Sequence, residues 1–263
     1  MKKIFMFTFV GWVSILSLVL ISCTQQVKPV VLTISAGTSL KSSLEEIKEI
    51  YTQEKPNVSI IYNFNSSGSH QKAIEQGANV DIYITGGSQF MDNLQSKGFV
   101  IKDTRKNLLR NQIILIGPKN STGISNFNDL TDNQIKRLAI SNPNNGSSGK
   151  YGEEVLQYFG ILEQVKSKFV FAKSGTEIVS FVDKGNADAG IMYATDAIKV
   201  NQIKIVAIAP ENSHSPITYS AAVLKASKNI PQAKEFVQFL QTDRAGSVFV
   251  KYGFAIVTDK PTQ

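Results

Sequence analysis

Cysteine is almost absent from this chain. Cys23 stands alone, so no internal disulfide can form and no second thiolate is available for a metal cage. Histidine is nearly as scarce: His70 and His214 are the only two, and neither sits in a metal-ligand spacing. One follows a serine cluster at an expected helix start and the other lies in a Ser/Pro/Asn-rich loop, so both read as exposed polar residues. Beyond residue 22 no run is apolar enough to cross a bilayer. Basic blocks are missing too. The net charge is +7, but Lys and Arg are spread among Glu and Asp, which speaks for a solvated surface and against a nucleic-acid partner.

Two enzymatic motifs fail on inspection. Gly146–Lys150 resembles a phosphate-binding P-loop, but Asn144 stands where the first glycine belongs and Tyr151 follows the lysine instead of Ser or Thr. A serine acylase of penicillin-binding type would need three elements. Ser69-His70-Gln71-Lys72 fits the first and Lys173-Ser174-Gly175 resembles the last, but the Ser-Asp-Asn element is missing. The first pattern also matches at Ser147–Lys150, as expected of a lysine-rich chain. That reading stays as the enzymatic rival.

What is present begins with a leader. Lys2 and Lys3 precede an uncharged stretch from Ile4 to Ser22, the layout of an export signal. Leu20-Ile21-Ser22-Cys23 looks like a bacterial lipoprotein cleavage box, so residues 1–22 are expected to be removed and Cys23 lipidated. A retained anchor is the alternative, and either places the chain outside the cell on the membrane's outer face. Residues 23–29 then form a short tether. Hydrophobic residues make up 42% of the chain, enough for a real core in the mature protein.

Short β-branched runs alternate with helical patterns. Strands are expected near Val30–Ser35, Val58–Phe64, Val80–Thr85, Gln112–Ile116, Arg137–Ser141, Phe169–Phe171, Ala189–Tyr193, Ile203–Ile208 and Ala221–Leu224. Leu40, Leu44, Ile47 and Tyr51 recur at helical spacing, and Pro231 sits where a helix begins. The alternation predicts α/β layers with mostly parallel pairing. The polar segment Lys102–Arg110 marks a place just after which the chain can cross between two lobes, with a return near Pro216–Ser220.

Four small polar clusters each follow an expected strand and open a helix: Ser35–Ser39, Asn65–Ser69, Asn144–Gly149 and Lys173–Thr176. A helix start leaves backbone N–H groups without partners and carries partial positive charge. Ser and Thr add hydroxyl donors, and Gly lets a ligand approach the backbone. Any one cluster alone reads as an N-cap, and Ser42–Glu45 even has the form of a capping box. Four together, in a chain without a catalytic constellation, point to anion binding. Charge-assisted hydrogen bonds contribute about 1.5–3 kcal/mol each. Five or six around a dianion offset association costs and leave roughly −8 to −12 kcal/mol, micromolar to nanomolar.

These residues resemble the molybdate-binding components of bacterial ABC importers, in the periplasmic binding protein superfamily. Leu32–Leu40 is similar to that family's opening strand and Ala-Ala-Ser-Leu turn. Phe64–Ser69 with Ile74–Asp81 resembles its second serine turn and the Gly-Ala-Pro-Ala-Asp segment, with Asn79 replacing proline. Ala187–Tyr193 followed by Thr195-Asp196-Ala197 resembles the segment carrying its tyrosine, and Lys251–Phe254 its end.

The resemblance implies a two-lobed α/β fold of the type II periplasmic-binding-protein kind, mixed sheets flanked by helices, with the ligand cleft between lobes. Residues 30–112 with 221–263 would form one lobe and 113–220 the other. It implies that Ser39 and Ser67 bind the anion through hydroxyl and backbone N–H. Ser148 and Gly175 would bind through backbone N–H, and Tyr193 through its phenol. At 147–148, Ser-Ser replaces the family's Pro-Ala, adding a hydroxyl near the site. None of the five is acidic, which suits a fully deprotonated dianion, molybdate or tungstate; sulfate or phosphate is the alternative ligand. No cofactor and no catalysis are implied. The implied partners are the oxyanion, an importer permease and the membrane through Cys23, with the chain a monomer.

Overall fold

In the computed structural model, which describes residues 28–198 and 200–257, the β-branched runs and helical patterns form two sheets. The chain opens with β1 (Val30–Gly37), α1 (Lys41–Glu54), β2 (Val58–Asn65), α2 (Ser67–Glu75), β3 (Ile82–Thr85), α3 (Ser88–Ser96) and β4 (Lys106–Arg110). It crosses over with β5 (Ile113–Pro118), β6 (Leu138–Ser141), α4 (Ser147–Tyr158), the single turn α5 (Leu162–Val165), β7 (Phe169–Ala172), α6 (Gly175–Asp183), β8 (Ala189–Tyr193) and β9 (Ile203–Ile208). It returns with β10 (Thr218–Val223), α7 (Ile230–Phe239), α8 (Asp243–Lys251) and β11 (Ala255–Ile256). The expected leader and Cys23 lie outside the described residues. Among the described residues, no helix is long and apolar enough to cross a membrane.

The first sheet runs β11-β4-β10-β3-β1-β2 and the second β7-β6-β8-β5-β9. The fold is the mixed α/β, helix-flanked architecture expected. Pairing is less parallel than the alternation suggested. β1 with β2 and β3, and β6 with β7 and β8, are parallel, while β5, β10 and β11 join antiparallel. β5 and β10 are the strands that follow the crossings, where a strand enters a sheet without a preceding helix to turn it around, while β11 returns antiparallel from α8 to the sheet edge.

Apolar spacing explains the layers. Leu40, Leu44, Ile47 and Tyr51 are all buried, laying α1 on the first sheet through Leu32, Ile34 and Ile60. Tyr51 meets Phe236 of α7 edge-on at 4.9 Å. In the second lobe α4 packs closely because Gly152 has no Cβ; one added there would lie 2.9 Å from Ile140 and 3.0 Å from Ile191. The polar segment Lys102–Arg110 contains a strand that its charges concealed: Leu108 and Leu109 are buried and carry β4. β10 begins at Thr218, so 218–220 pair with β4 and β3 in the first sheet, three residues before the boundary expected at 221. The capping-box reading of Ser42–Glu45 does not hold. The chain enters α1 through a 3-10 turn, Thr38–Leu40, Leu40 occupies the cap position, and Ser43 Oγ donates back to the Leu40 carbonyl.

Candidate functional site

All four polar clusters reach one cavity of about 430 Å³ between the lobes. They do so because parallel strands β1, β2, β6 and β7 all end at the cleft, where ligands of open α/β sheets bind. Ser39 lies in the 3-10 turn after β1, Ser67 opens α2, Ser148 stands second in α4, and Gly175 opens α6. Tyr193 ends β8. The structure therefore brings all five sequence-predicted residues to the wall of a single cavity.

Hydroxyls in that wall satisfy one another. Thr85 Oγ1 donates to Ser67 Oγ at 2.8 Å, Ser67 Oγ donates to Ser147 Oγ at 3.4 Å, and Tyr193 Oη donates to Ser147 Oγ at 3.0 Å. Ser67 and Ser147 come from opposite lobes, so this chain of donors spans the cleft. Ser67 is further held by Tyr83, whose hydroxyl donates to the Ser67 carbonyl at 2.9 Å. Ser39 Oγ pairs with Tyr219 Oη at 2.9 Å, and Asn111 Nδ2 donates to that same phenol at 3.2 Å. Ser148 uses its hydroxyl on Ser141 Oγ at 3.0 Å, which leaves its backbone N–H as its means of reaching a ligand. Burial pushes the Tyr193 and Tyr219 phenols far above their usual value, so both stay protonated donors. An oxyanion replacing these neutral pairs exchanges bonds of about 0.5–1.5 kcal/mol for charge-assisted ones of about 1.5–3 kcal/mol.

Three wall residues escaped the sequence. Ser147, 8% exposed, is the meeting point of the network and not merely an added hydroxyl. Tyr219 carries no motif and becomes visible only when β10 returns beside β3. Asp196 matters most, because it makes the site something other than the all-donor cage inferred from the five residues. Its carboxylate lines the cavity, and burial pushes its pKa up to about 7. Only Lys173 and Asp196 among the lining residues carry a formal charge. The signal was present in Tyr193-Ala194-Thr195-Asp196, where a turn of 3-10 helix brings Asp196 back toward the tyrosine.

Neither histidine is an exposed polar residue in the sense expected. His70 is 5% exposed and its Nε2 lies 3.1 Å from the Ala36 carbonyl, bracing α2 against β1; burial lowers its pKa. His214 is half-buried against the Tyr151 ring. Asp81, the buried carboxylate of another family-like segment, is structural: it accepts from Thr33 N at 2.8 Å and Ser227 Oγ at 2.6 Å. Ser69 Oγ accepts from Ser66 Oγ at 2.7 Å, while Lys72 is exposed. Among the described residues, no three His, Cys, Asp or Glu side chains gather as a metal site.

A family model described as bacterial extracellular solute-binding protein matches residues 32–255, a span that includes both sheets and the whole cavity wall. The chain belongs to the bacterial extracellular solute-binding proteins. This solute-binding protein is 37% identical over 234 residues to YvgL of Bacillus subtilis, whose name describes a substrate-binding lipoprotein of an ABC transporter, with 89% of each chain covered. It is 30% identical over 227 residues to the molybdate-binding protein ModA of Haemophilus influenzae, covering 85% of this chain and 89% of that one. Among solved structures, the substrate-binding domain assigned to a molybdenum ABC transporter of Clostridium difficile matches with a TM-score of 0.69 and 38% identity. That match covers 87% of this chain and 100% of the other. These relatives are named for binding a solute or substrate.

Proposed function

We infer that this chain is the extracytoplasmic receptor of an ABC importer and that its cargo is molybdate or tungstate. The observation that carries the reading is the convergence of uncharged donors from both lobes, Ser39 and Ser67 with Ser147, Ser148, Gly175 and Tyr193, on one cavity. Relatives named for molybdate binding or transport, at 30% and 38% identity over most of both chains, support the choice of anion. The ligand set is Ser39, Ser67, Ser148, Gly175 and Tyr193, with Ser147 added by its position. At roughly 30 Å³ per water, the cavity exceeds one tetrahedral anion, so cargo enters with water or with tighter closure.

In this reading residues 30–112 with the chain end form one lobe, and the crossings at Asn111-Gln112 and ahead of Thr218 form the hinge. An anion that touches both lobes favours the closed form by its differential affinity, and the permease recognises that form. Lipidated Cys23 tethers a monomer to the membrane's outer face. No covalent chemistry is assigned: Ser69 is spent on Ser66, and Lys72 points its charge to solvent. Calorimetric titration of the chain lacking residues 1–22 with molybdate, tungstate, sulfate and phosphate tests the function. One-to-one binding with molybdate or tungstate at least tenfold tighter than sulfate and phosphate is expected. Preference for sulfate or phosphate, or no binding, overturns it.

A further inference from the structure

We propose that Asp196 is a ligand-facing member of the oxyanion site, and that a fully deprotonated dianion enters it together with one proton, held between the Asp196 carboxyl and the bound oxyanion. This rests on the oxyanion reading above and deepens it, because the cage inferred from serines, glycine and tyrosine contained no acid.

Position is the first support. Asp196 shares the cavity wall with Tyr193, Tyr219 and Gly175. Its carboxylate lies so close to the first residue of α6 that a Cβ added to Gly175 would collide with its Oδ2, Cγ and Cβ. Glycine at 175 is therefore matched to the acid beside it. The acid in turn sits at a helix start, where N–H groups lack partners and an anion's oxygens would come.

Its lack of partners is the second. Asp81, Asp129 and Asp188 each accept two or more hydrogen bonds; Asp188, for instance, takes Lys136 N and Arg137 N at 2.8 Å. Among the described residues the Asp196 carboxylate has no hydrogen-bond partner, although it is half-buried between the cavity and a shallow pocket along α6. Burying a carboxylate that way is unfavourable unless it is protonated or meets a donor. The raised pKa of about 7 agrees.

The charged and titratable groups around it do not alter the sign. Tyr193 from β8 and Tyr219 from β10 are neutral. From α6, Glu177 accepts from Lys173 N at 2.6 Å and is engaged there, while Asp183 shares a shallow pocket behind Asp196. Lys173 at the cavity mouth is exposed and is the one nearby cation among the lining residues. From the crossing, Asn111 is neutral and donates to neighbouring Thr195.

Two ligand classes are then distinguished by where the proton comes from. Molybdate has none to give, so a carboxylate facing it must take one from solvent, becoming a donor. Hydrogen phosphate carries its own proton and donates it to the ionised carboxylate, with no uptake from solvent. The site thereby favours deprotonated dianions at lower pH and hydrogen oxyanions at higher pH.

The test is calorimetry of the chain lacking residues 1–22 with sodium molybdate from pH 6 to 8.5, in buffers of differing ionisation enthalpy. Uptake rising toward one proton per anion is expected, with affinity falling toward tenfold per pH unit above the Asp196 titration. In Asp196→Asn the uptake should vanish and the profile flatten, whereas Asp183→Asn should keep the slope. Molybdate binding with a flat profile and no proton uptake in the unmodified chain overturns the role of Asp196 alone. Failure of every anion to bind sinks the oxyanion reading, and this one with it.

Discussion

The backbone N–H of Gly68 donates to the Asn145 carbonyl across the cleft at 2.9 Å. Gly68 is the second residue of α2 in the first lobe and Asn145 precedes α4 in the second, so this bond, with Ser67 to Ser147 beside it, latches the two lobes at the mouth of the cavity. The contact depends on glycine. A Cβ at Gly68 would stand 2.9 Å from Asn145 Cα and 3.1 Å from its carbonyl oxygen.

Gly68→Ala should therefore hinder closure without harming the fold. Alanine favours the α2 helix by about 0.5–1 kcal/mol over glycine, so thermal stability without anion should hold or rise. Anion affinity should fall by about 1–3 kcal/mol, the loss of the latch bond plus displaced backbone. Titration beside thermal denaturation reads both. Affinity equal to the parent's would show that the latch plays no part in binding.

Among the wall hydroxyls, Ser39→Ala, Ser67→Ala and Ser147→Ala should each weaken molybdate binding by about 1–3 kcal/mol. Ser148→Ala should cost less than about 1 kcal/mol, because its hydroxyl is committed to Ser141 and its backbone N–H survives the change. The ranking is the test. A larger loss at Ser148 than at Ser147 would mean the two side chains exchange roles on binding.

His70 makes stability depend on pH in a stated direction. Burial lowers its pKa, so the folded chain prefers the neutral ring. The stability it contributes is complete above the usual value near 6.5 and is lost as pH falls through the lowered one. His70→Gln keeps a donor for the Ala36 carbonyl and cannot charge. Denaturation midpoints of this variant should decline less between pH 7 and 5 than those of the parent; equal declines would contradict the assignment.

Asp196 acts with the opposite sign. Its folded pKa stands near 7 against about 3.9 in an unfolded chain, so the folded state binds more protons between those values. Stability then falls as pH rises from about 4 to 7 and stays reduced above that. Asp196→Asn should stabilise the chain at pH 8 by about 1–3 kcal/mol, less than the full shift because the cavity admits water, and have little effect near pH 4. Equal effects at both values would place the acid in an ordinary solvated setting.

Much of this was legible in the sequence, and the gaps have physical reasons. Local apolar periodicity gave α1, whose Leu44, Ile47 and Tyr51 face the core. It missed β4, where Lys106 and Arg110 flank two buried leucines and the strand is stabilised by partners more than a hundred residues away. Polar clusters after strands located the cavity wall, because a strand end followed by Ser and Gly is a local signature. Tyr219 belongs to the wall only through the tertiary return of β10, which no local pattern records, whereas Asp196 reaches it through the local 3-10 turn after β8. His70 was misjudged for a related reason: its neighbours in sequence are polar, but its neighbours in space are β1 and Tyr83.

A crystal structure of the chain lacking residues 1–22, grown with molybdate and located by the metal's anomalous scattering, tests the central claim most directly. The account predicts one molybdenum between the lobes, with its oxygens within hydrogen-bond distance of Ser39, Ser67, Tyr193 and the backbone N–H groups of Ser148 and Gly175. Molybdenum bound elsewhere, or held in the cleft by Lys173 alone while those donors keep their present partners, would contradict it.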